Sequence, residues 1–318
     1  MNILITGVAG FIGQALAQYL LTHTEHTIVG VDNLNDYYPV ILKEKRLAQL
    51  NQQKNFTFKK IDLADTNSVQ NINESFDLII HLAAQAGVRY SIENPIVYAQ
   101  SNLLGFTNIL QLARTQPKAH LVYASSSSVY GQNNQIPFTE TDLTDHPVSF
   151  YAATKKANEV MAVSYTHLYN LSITGLRFFT VYGPFGRPDM APWLFTQAIL
   201  EGKPIKVFNH GKMKRDFTYI DDIVEGIWRL ATHPQRLCSN THEIYNIGNN
   251  QPVQLMEFIQ TIETACQKEA IKEFLPMQDG DVPITYANTD KLNALTGFQP
   301  STPLKIGIEK FVSWYQSQ

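Results

Sequence analysis

Short, continuously apolar runs alternate along the chain with longer stretches whose apolar residues recur every three or four positions. The runs are NILIT (2–6), TIVGVD (27–32), TFKKID (57–62), DLIIHLAA (77–84), HLVYASS (120–126), SITGLRFF (172–179) and EIYNIG (243–248). A strand that is apolar throughout, rather than at alternate positions, belongs in a parallel sheet covered on both faces. Between the runs, QALAQYLLTH (14–23), NPIVYAQSNLLGFTNILQLART (94–115) and YAATKKANEVMAVSYTHLY (151–169) carry helical periodicity. Repeated strand–helix order predicts an α/β fold: a doubly wound parallel sheet of the Rossmann kind, about seven strands wide, with right-handed crossovers.

After Phe179 the texture changes. TVYGPFGRPDMAPW (180–193) is rich in Pro and Gly, and prolines at 204, 252, 276, 283, 300 and 303 punctuate the rest. Such a segment suits a smaller α/β domain that closes over a ligand. EIYNIG is strand-like and is expected to return to the main sheet, which makes the second domain discontinuous. The expected division is 1–180, with 217–250 returning to it, against 181–216 and 251–318.

Composition narrows the function classes. Apolar residues make up 44% of the 318, charged residues 17%, and the net charge is −3. These are values of a globular enzyme and give no footing for nucleic acid or an anionic membrane surface. No window reaches the roughly 18 apolar residues of a membrane helix, and MNILITGVAGFIG has no basic leader region, so a cytoplasmic location is expected. Cys238 and Cys266 are expected to be free thiols, and no histidine or cysteine spacing suggests a metal.

Three features carry chemistry. First, β-strand residues run straight into TGVAGFIG, where Gly7, Gly10 and Gly13 permit a tight turn and close backbone approach to a diphosphate. The backbone of Phe11 and Ile12 lies in that turn. Asp32 ends the second strand, placed to accept from both ribose hydroxyls of an adenosine and to repel a 2′-phosphate. No arginine adjoins it in sequence, so NAD is expected rather than NADP. Asp62, ending the third run, is a candidate adenine contact. Second, Tyr151 and Lys155 lie four apart, on one face of a helix opening after the fifth strand. Third, that strand ends in four serines, Ser125 to Ser128, at the carboxyl edge where a doubly wound sheet binds its ligand.

GxxGxxG, the strand-end acid, HLAA, SSS-x-VYG and YxxxK together resemble the extended short-chain dehydrogenase/reductase family, across essentially the whole chain. HLAAQAGVRYSIENP (81–95), RFFTVYGPFGRPDM (177–190), NHGKMKRDFTYIDDIVEG (209–226) and PMQDGDVP (276–283) are similar to UDP-glucuronate 4-epimerases in particular. The resemblance implies a tightly bound, recycled NAD, a UDP-sugar substrate and a homodimer. It implies that Tyr151 is the catalytic base, Lys155 its electrostatic support and ribose contact, and Ser126 a donor to the reacting oxygen. It adds Asn33, Leu63, Leu82, Ala83, Ala84, Asn102, Ser125 and Phe178 to the cofactor site. Arg215 would contact the diphosphate and Asp281 the uridine ribose. Relatives acting on neutral UDP-hexoses carry arginine where this chain has Gln278, and Arg187 or Arg89 is expected to supply the replacement charge.

A phenol is a poor base at neutral pH, but a neighbouring ammonium and a positive nicotinamide both favour phenolate. Ser127, Ser128 and Thr180 are hydroxyl donors that, with Arg187, are expected to hold the sugar's C6 carboxylate without locking it as a buried bidentate arginine would. Oxidation at C4 creates a β-keto acid, and fixing that carboxylate out of the perpendicular plane would suppress loss of CO2. Alternatives remain: an epimerase of UDP-glucose or UDP-N-acetylglucosamine, a UDP-glucuronate decarboxylase, or an NAD-sensing scaffold. A scaffold of that kind typically lacks the tyrosine or lysine, and both are present here.

Overall fold

All seven apolar runs form strands of one sheet, in a computed structural model that describes residues 1–318 apart from Asn134, Cys238, Ser239, Asp279 and Gly280. The expected free thiol at Cys238 therefore lies outside the described residues; Cys266 is free and buried. The strands are β1 (Asn2–Thr6), β2 (Thr27–Asp32), β3 (Phe56–Lys60), β4 (Leu78–His81), β5 (His120–Ser126), β6 (Ile173–Phe178) and, after three that belong elsewhere, β10 (His242–Ile247). Their spatial order is β10-β6-β5-β4-β1-β2-β3. The pairs from β3 through β5 are parallel, with Ile3 opposite Ile28 and Ile5 opposite Ile80. The winding direction reverses between β1 and β4, so the carboxyl ends of those two strands flank the crevice where such sheets bind ligands.

Chain contacts divide the protein into two compact units, one of residues 1–132, 143–177 and 227–245, the other of 133–142, 178–226 and 246–318. In the first unit, the helix Gly105–Thr115 buries Phe106, Ile109, Leu110 and Ala113, an i, i+3, i+4, i+7 stripe, against Leu4, Ile79, Leu121 and Ile173 of the sheet. Full burial of each large side chain contributes about 1.5–3 kcal/mol. The helix Phe150–Tyr169 starts where Ser149 accepts from the Ala152 N–H at 3.1 Å, and ends at Asn170 in the left-handed conformation.

One helix differs from its expected form. Residues 94–115 read as a single periodic helix, but the chain makes Pro95–Tyr98, a wide π-helical turn over Ala99–Leu104, then Gly105–Thr115. The cause is Asn102. Its side chain accepts from the Gln85 N–H at 2.8 Å and donates to Gln85 O and Thr154 Oγ1, while its own carbonyl accepts from Asn158 Nδ2 at 2.8 Å. Side chains entering the ladder at that point widen the turn.

In the second unit, β9 (Lys214–Tyr219) lies between β7 (Thr180–Tyr182), parallel to it, and β11 (Pro252–Gln254), antiparallel. A separate parallel pair joins β8 (Pro204–Val207) to β12 (Ile271–Phe274). Phe217 of β9 stacks on Phe258 of the helix Leu255–Cys266 at 4.0 Å. The buried Asp216 carboxylate accepts from the N–H groups of Asn249, Asn250 and Ala287, at 2.7, 3.0 and 3.1 Å, and so ties three segments of this unit together.

A buried ion pair joins helix to sheet in the first unit. Arg177 of β6 grips Glu159 of the helix Phe150–Tyr169 through Nε and Nη2, each at 2.9 Å, with both side chains 3% exposed. Removing one partner leaves the other charge buried. Glu159→Ala should therefore lower the unfolding free energy by about 3–5 kcal/mol, and a Glu159→Met/Arg177→Met double replacement by less, as read from urea unfolding curves.

Candidate active site

Strand β1 ends at Thr6, and the chain must then turn within the width of one strand to begin the helix Phe11–His23. Gly7 adopts φ +72°, a conformation that side chains disfavour, and a Cβ there would stand 2.7 Å from Ala83 N. Gly13 is tighter still: a Cβ would lie 2.2 Å from Gly7 O. The turn is closed by Gly7 N–H to Val31 O at 2.7 Å and Gly10 N–H to Gly7 O at 2.9 Å. Gly10 supplies no capping side chain, so the first-turn N–H groups of Phe11, Ile12 and Gly13 suit an anion. Leu82 and Ala83 form the opposite wall, their N–H groups donating to Thr6 O and Thr6 Oγ1 at 3.1 and 3.3 Å, with Ala84 next to them and half-buried.

Asp32 stands beside this loop. Its Oδ2 accepts from the Ala9 N–H at 3.1 Å and its Oδ1 from the Leu34 N–H at 2.9 Å. Burial pushes this carboxyl above its ordinary value, opposed by those hydrogen bonds and by the charges of Lys43 and Arg46. The sequence has no arginine next to Asp32, yet the fold brings Lys43 and Arg46 close enough to act on it. Asn33 donates from Nδ2 to Asp62 Oδ2 at 3.2 Å, and Asp62 Oδ1 accepts from the Ala64 N–H at 2.9 Å. Leu63 is buried, with its carbonyl accepting from Asn108 Nδ2 at 2.7 Å.

The four serines have separate duties. Ser125 Oγ donates to Glu159 Oε1 at 2.6 Å, which commits it to the buried ion pair. Ser126 Oγ accepts from the Ser128 N–H at 3.1 Å and caps the short turn Ser127–Tyr130; Ser127 and Ser128 are half-buried. Lys155 is 2% exposed and donates from Nζ to Ala124 O at 2.9 Å. That ammonium lies 6.0 Å from the Tyr151 ring centroid. The half-buried Tyr151 is packed edge-on by Tyr98 at 6.1 Å, and its N–H donates to Ser91 Oγ at 3.1 Å. Burial brings Lys155 down to about 8. His81, beneath the loop, is brought to about 3 by burial first and by the Lys155 charge second, and so stays neutral. These residues fit a dinucleotide: a side-chain-free cradle for a diphosphate, an acid for a ribose, and a buried ammonium next to a phenol.

Arg89, exposed, precedes the short helix Tyr90–Glu93. In the second unit, Phe178 closes β6 and Thr180 opens β7. Arg187 forms an ion pair with Asp189, Nε to Oδ1 at 3.0 Å. Arg215 donates from Nη1 to Lys214 O and Pro283 O at 3.0 and 3.2 Å; burial lowers it from its ordinary value and the charge of Asp281 opposes that. The Asp281 N–H donates to Gln278 O at 3.3 Å, which links Gln278 to the acid whose charge acts on Arg215. Gln278 Oε1 is buried without a partner among the described residues.

Sequence reasoning missed Glu159, Arg177, Lys43, Arg46 and Tyr38. The first had a usable signal, because Tyr151, Lys155 and Glu159 repeat every four residues on one helix face. Charged residues on a helix after the second strand read as a solvated face and gave no such sign.

A family model described as the NAD dependent epimerase/dehydratase family matches residues 3–248. Protein CapI of Staphylococcus aureus is 52% identical, over 99% of this chain and 98% of its own. A probable UDP-glucuronate 4-epimerase of Rhizobium meliloti is 47% identical, over 99% of this chain and 97% of its own. The crystal structure of a UDP-glucuronic acid 4-epimerase from Bacillus cereus, in complex with UDP-glucuronic acid and NAD, matches with a TM-score of 0.92 at 32% identity, covering 100% of this chain and 99% of that one.

The buried ammonium has a pH signature. Between pH 8 and 10.5 the unfolded chain binds a proton at Lys155 that the folded chain has released, so this residue makes stability rise with pH across that window. Lys155→Met should remove that rise, as followed by urea midpoints from pH 7 to 10.5.

Proposed function

This chain belongs to the NAD dependent epimerase/dehydratase family, and we propose that within it the protein interconverts UDP-glucuronate and UDP-galacturonate by epimerisation at C4, using a tightly held and recycled NAD. The observation that carries this reading is the pair Tyr151 and Lys155, one helical turn apart, with Lys155 tied to the Ala124 carbonyl of the serine-ended strand β5. The likeness to UDP-glucuronate 4-epimerases over nearly the whole chain supports the substrate.

Bound NAD supplies an acceptor, and then a donor, for the hydride of the sugar's C4. Tyr151, as phenolate, takes the proton of the 4-hydroxyl and returns it once the other face of the 4-keto sugar has been reduced, so no net redox change results. The Lys155 ammonium favours the phenolate through space and would hold the nicotinamide ribose. Ser126 donates to the same substrate oxygen. Asp32 accepts from the adenosine ribose, and the turn at Gly7, Gly10 and Gly13 receives the diphosphate. In the second unit, Arg215 is suited to the diphosphate of the UDP-sugar and Asp281 to its ribose. Firm grip on the nucleotide leaves the hexose free to turn over. Ser127 and Ser128 hold the C6 carboxylate out of the plane that would let the β-keto acid lose CO2.

Among the described residues no helix is long and apolar enough to cross a membrane. A cytoplasmic homodimer is part of the same reading. Val160, Val163 and Leu168 are 58%, 53% and 63% exposed along the helix Phe150–Tyr169, an apolar stripe that a second copy would cover.

NMR of products after incubation with UDP-glucuronate, UDP-glucose and UDP-N-acetylglucosamine tests the reading. UDP-galacturonate should form from UDP-glucuronate without accumulation of NADH; conversion of the neutral sugars alone would overturn it. Tyr151→Phe should lower kcat by about 10²–10⁴-fold. Ser127→Ala/Ser128→Ala should release a UDP-pentose alongside the epimer, detectable by the same spectra.

A further inference from the structure

Three side chains that the proposed chemistry does not use surround the residues that would hold the adenosine half of the cofactor. Lys43 and Arg46 lie one turn apart on the helix Val40–Leu50, 5% and 0% exposed. Cations on such a helix normally reach water. Here both point inward. Arg46 Nη1 donates to Ala9 O at 2.9 Å and to the Tyr38 hydroxyl at 2.7 Å. Lys43 Nζ donates to Asn35 O and Asn35 Oδ1, at 2.7 and 2.6 Å, and stands 4.7 Å from the Tyr38 ring centroid.

Ala9 lies in the turn between Gly7 and Gly10. Its N–H is held by the Asp32 carboxylate and its carbonyl by the Arg46 guanidinium. One residue of the phosphate turn is thus fixed from both sides, by groups of opposite charge. The loop from Asn33 to Tyr38 is fixed in turn: the Leu34 N–H by Asp32, Asn35 by Lys43, and Tyr38 by Arg46. Asn35 Nδ2 also reaches Gln85 Oε1 at 3.4 Å, and the Tyr37 ring packs at a tilt against that of Tyr90, centroids 4.8 Å apart, so the loop is pinned to the segment that follows β4. The charges of Lys43 and Arg46 also favour the ionised state of the buried Asp32, the form that accepts from ribose hydroxyls.

We propose that Lys43, Arg46 and Tyr38 are positioning residues that clamp the phosphate turn and the loop Asn33–Tyr38 onto Asp32, and that this clamp sets how slowly NAD leaves. The inference rests on the NAD-dependent epimerase reading, in which a reduced cofactor that escapes in mid-cycle strands the enzyme with a ketone. A cradle already built before the ligand arrives pays less ordering entropy on binding, and binds longer for it.

The test is the rate at which NAD in the purified holo-protein exchanges for a fluorescent etheno-NAD in excess, measured for wild type, Tyr38→Phe, Lys43→Gln, Arg46→Met and Arg46→Lys. Losing a hydrogen bond from a charged donor is worth about 1.5–3 kcal/mol, so release should quicken by about 10- to 100-fold in Arg46→Met and Tyr38→Phe. Arg46→Lys should recover part of the retention. The KM for UDP-glucuronate and kcat at saturating NAD should stay within about twofold, since the clamp touches neither substrate nor the reacting atoms. Tyr38→Phe removes one oxygen and Lys43→Gln keeps a donor, so both should still fold, with a cooperative urea transition, even if Arg46→Met does not fold. Exchange at the wild-type rate in both would overturn the clamp while leaving the epimerase reading intact. A wild-type protein that exchanges NAD freely would overturn the retained-cofactor reading and the clamp together.

Discussion

At the carboxyl end of β1 two pieces of backbone approach so closely that no side chain fits between them. A Cβ on Gly13 would overlap the carbonyl oxygen of Gly7, and one on Gly7 would overlap the backbone at Ala83. This contact lets the helix Phe11–His23 begin directly under the turn, with its first N–H groups turned toward the crevice between β1 and β4. The rest of the candidate cofactor site is referenced to that point. Asp32 reaches the turn through the Ala9 N–H, and Leu82 and Ala83 reach it through Thr6. A wider turn would separate the acid from the loop and leave the helix terminus aimed elsewhere.

Burial then decides the charge states. His81 lies 3% exposed beneath the turn and is held neutral by its burial and by the Lys155 charge. Lys155 itself is desolvated and is poised near the upper end of the neutral range, donating to the Ala124 carbonyl. An ammonium in that condition gains more from an adjoining phenolate than a solvated one would, because less water competes for it. The same logic holds Asp32 between burial, which favours the neutral acid, and two inward-facing cations, which favour the carboxylate.

The seven strands, the glycine turn, the strand-end Asp32 and the Tyr151–Lys155 spacing were legible because each is a local pattern: a run, a triplet, a period of four. What could not be read are the features made by distant side chains. The π-helical turn depends on Asn102 meeting Gln85, Thr154 and Asn158, none of which is a neighbour in sequence. The Glu159–Arg177 pair joins a helix to a strand, and a charge at either position looks solvated on its own. Lys43 and Arg46 look so too, although the fold turns both inward. In the second unit β8 and β12 are four residues each and pair across more than sixty positions, too short and too distant for periodicity to register.

The Glu159–Arg177 pair reaches further than stability. Tyr151 and Lys155 share a helix with Glu159, and Glu159 is gripped at both oxygens by the sheet and touched by Ser125. Sliding that helix by one ångström would prise apart a dry ion pair. Tyr151 and Lys155 are therefore the stator, bolted to the frame, and in the proposed half-turn that presents both faces of a ring to one fixed phenol the rotor has to be the sugar.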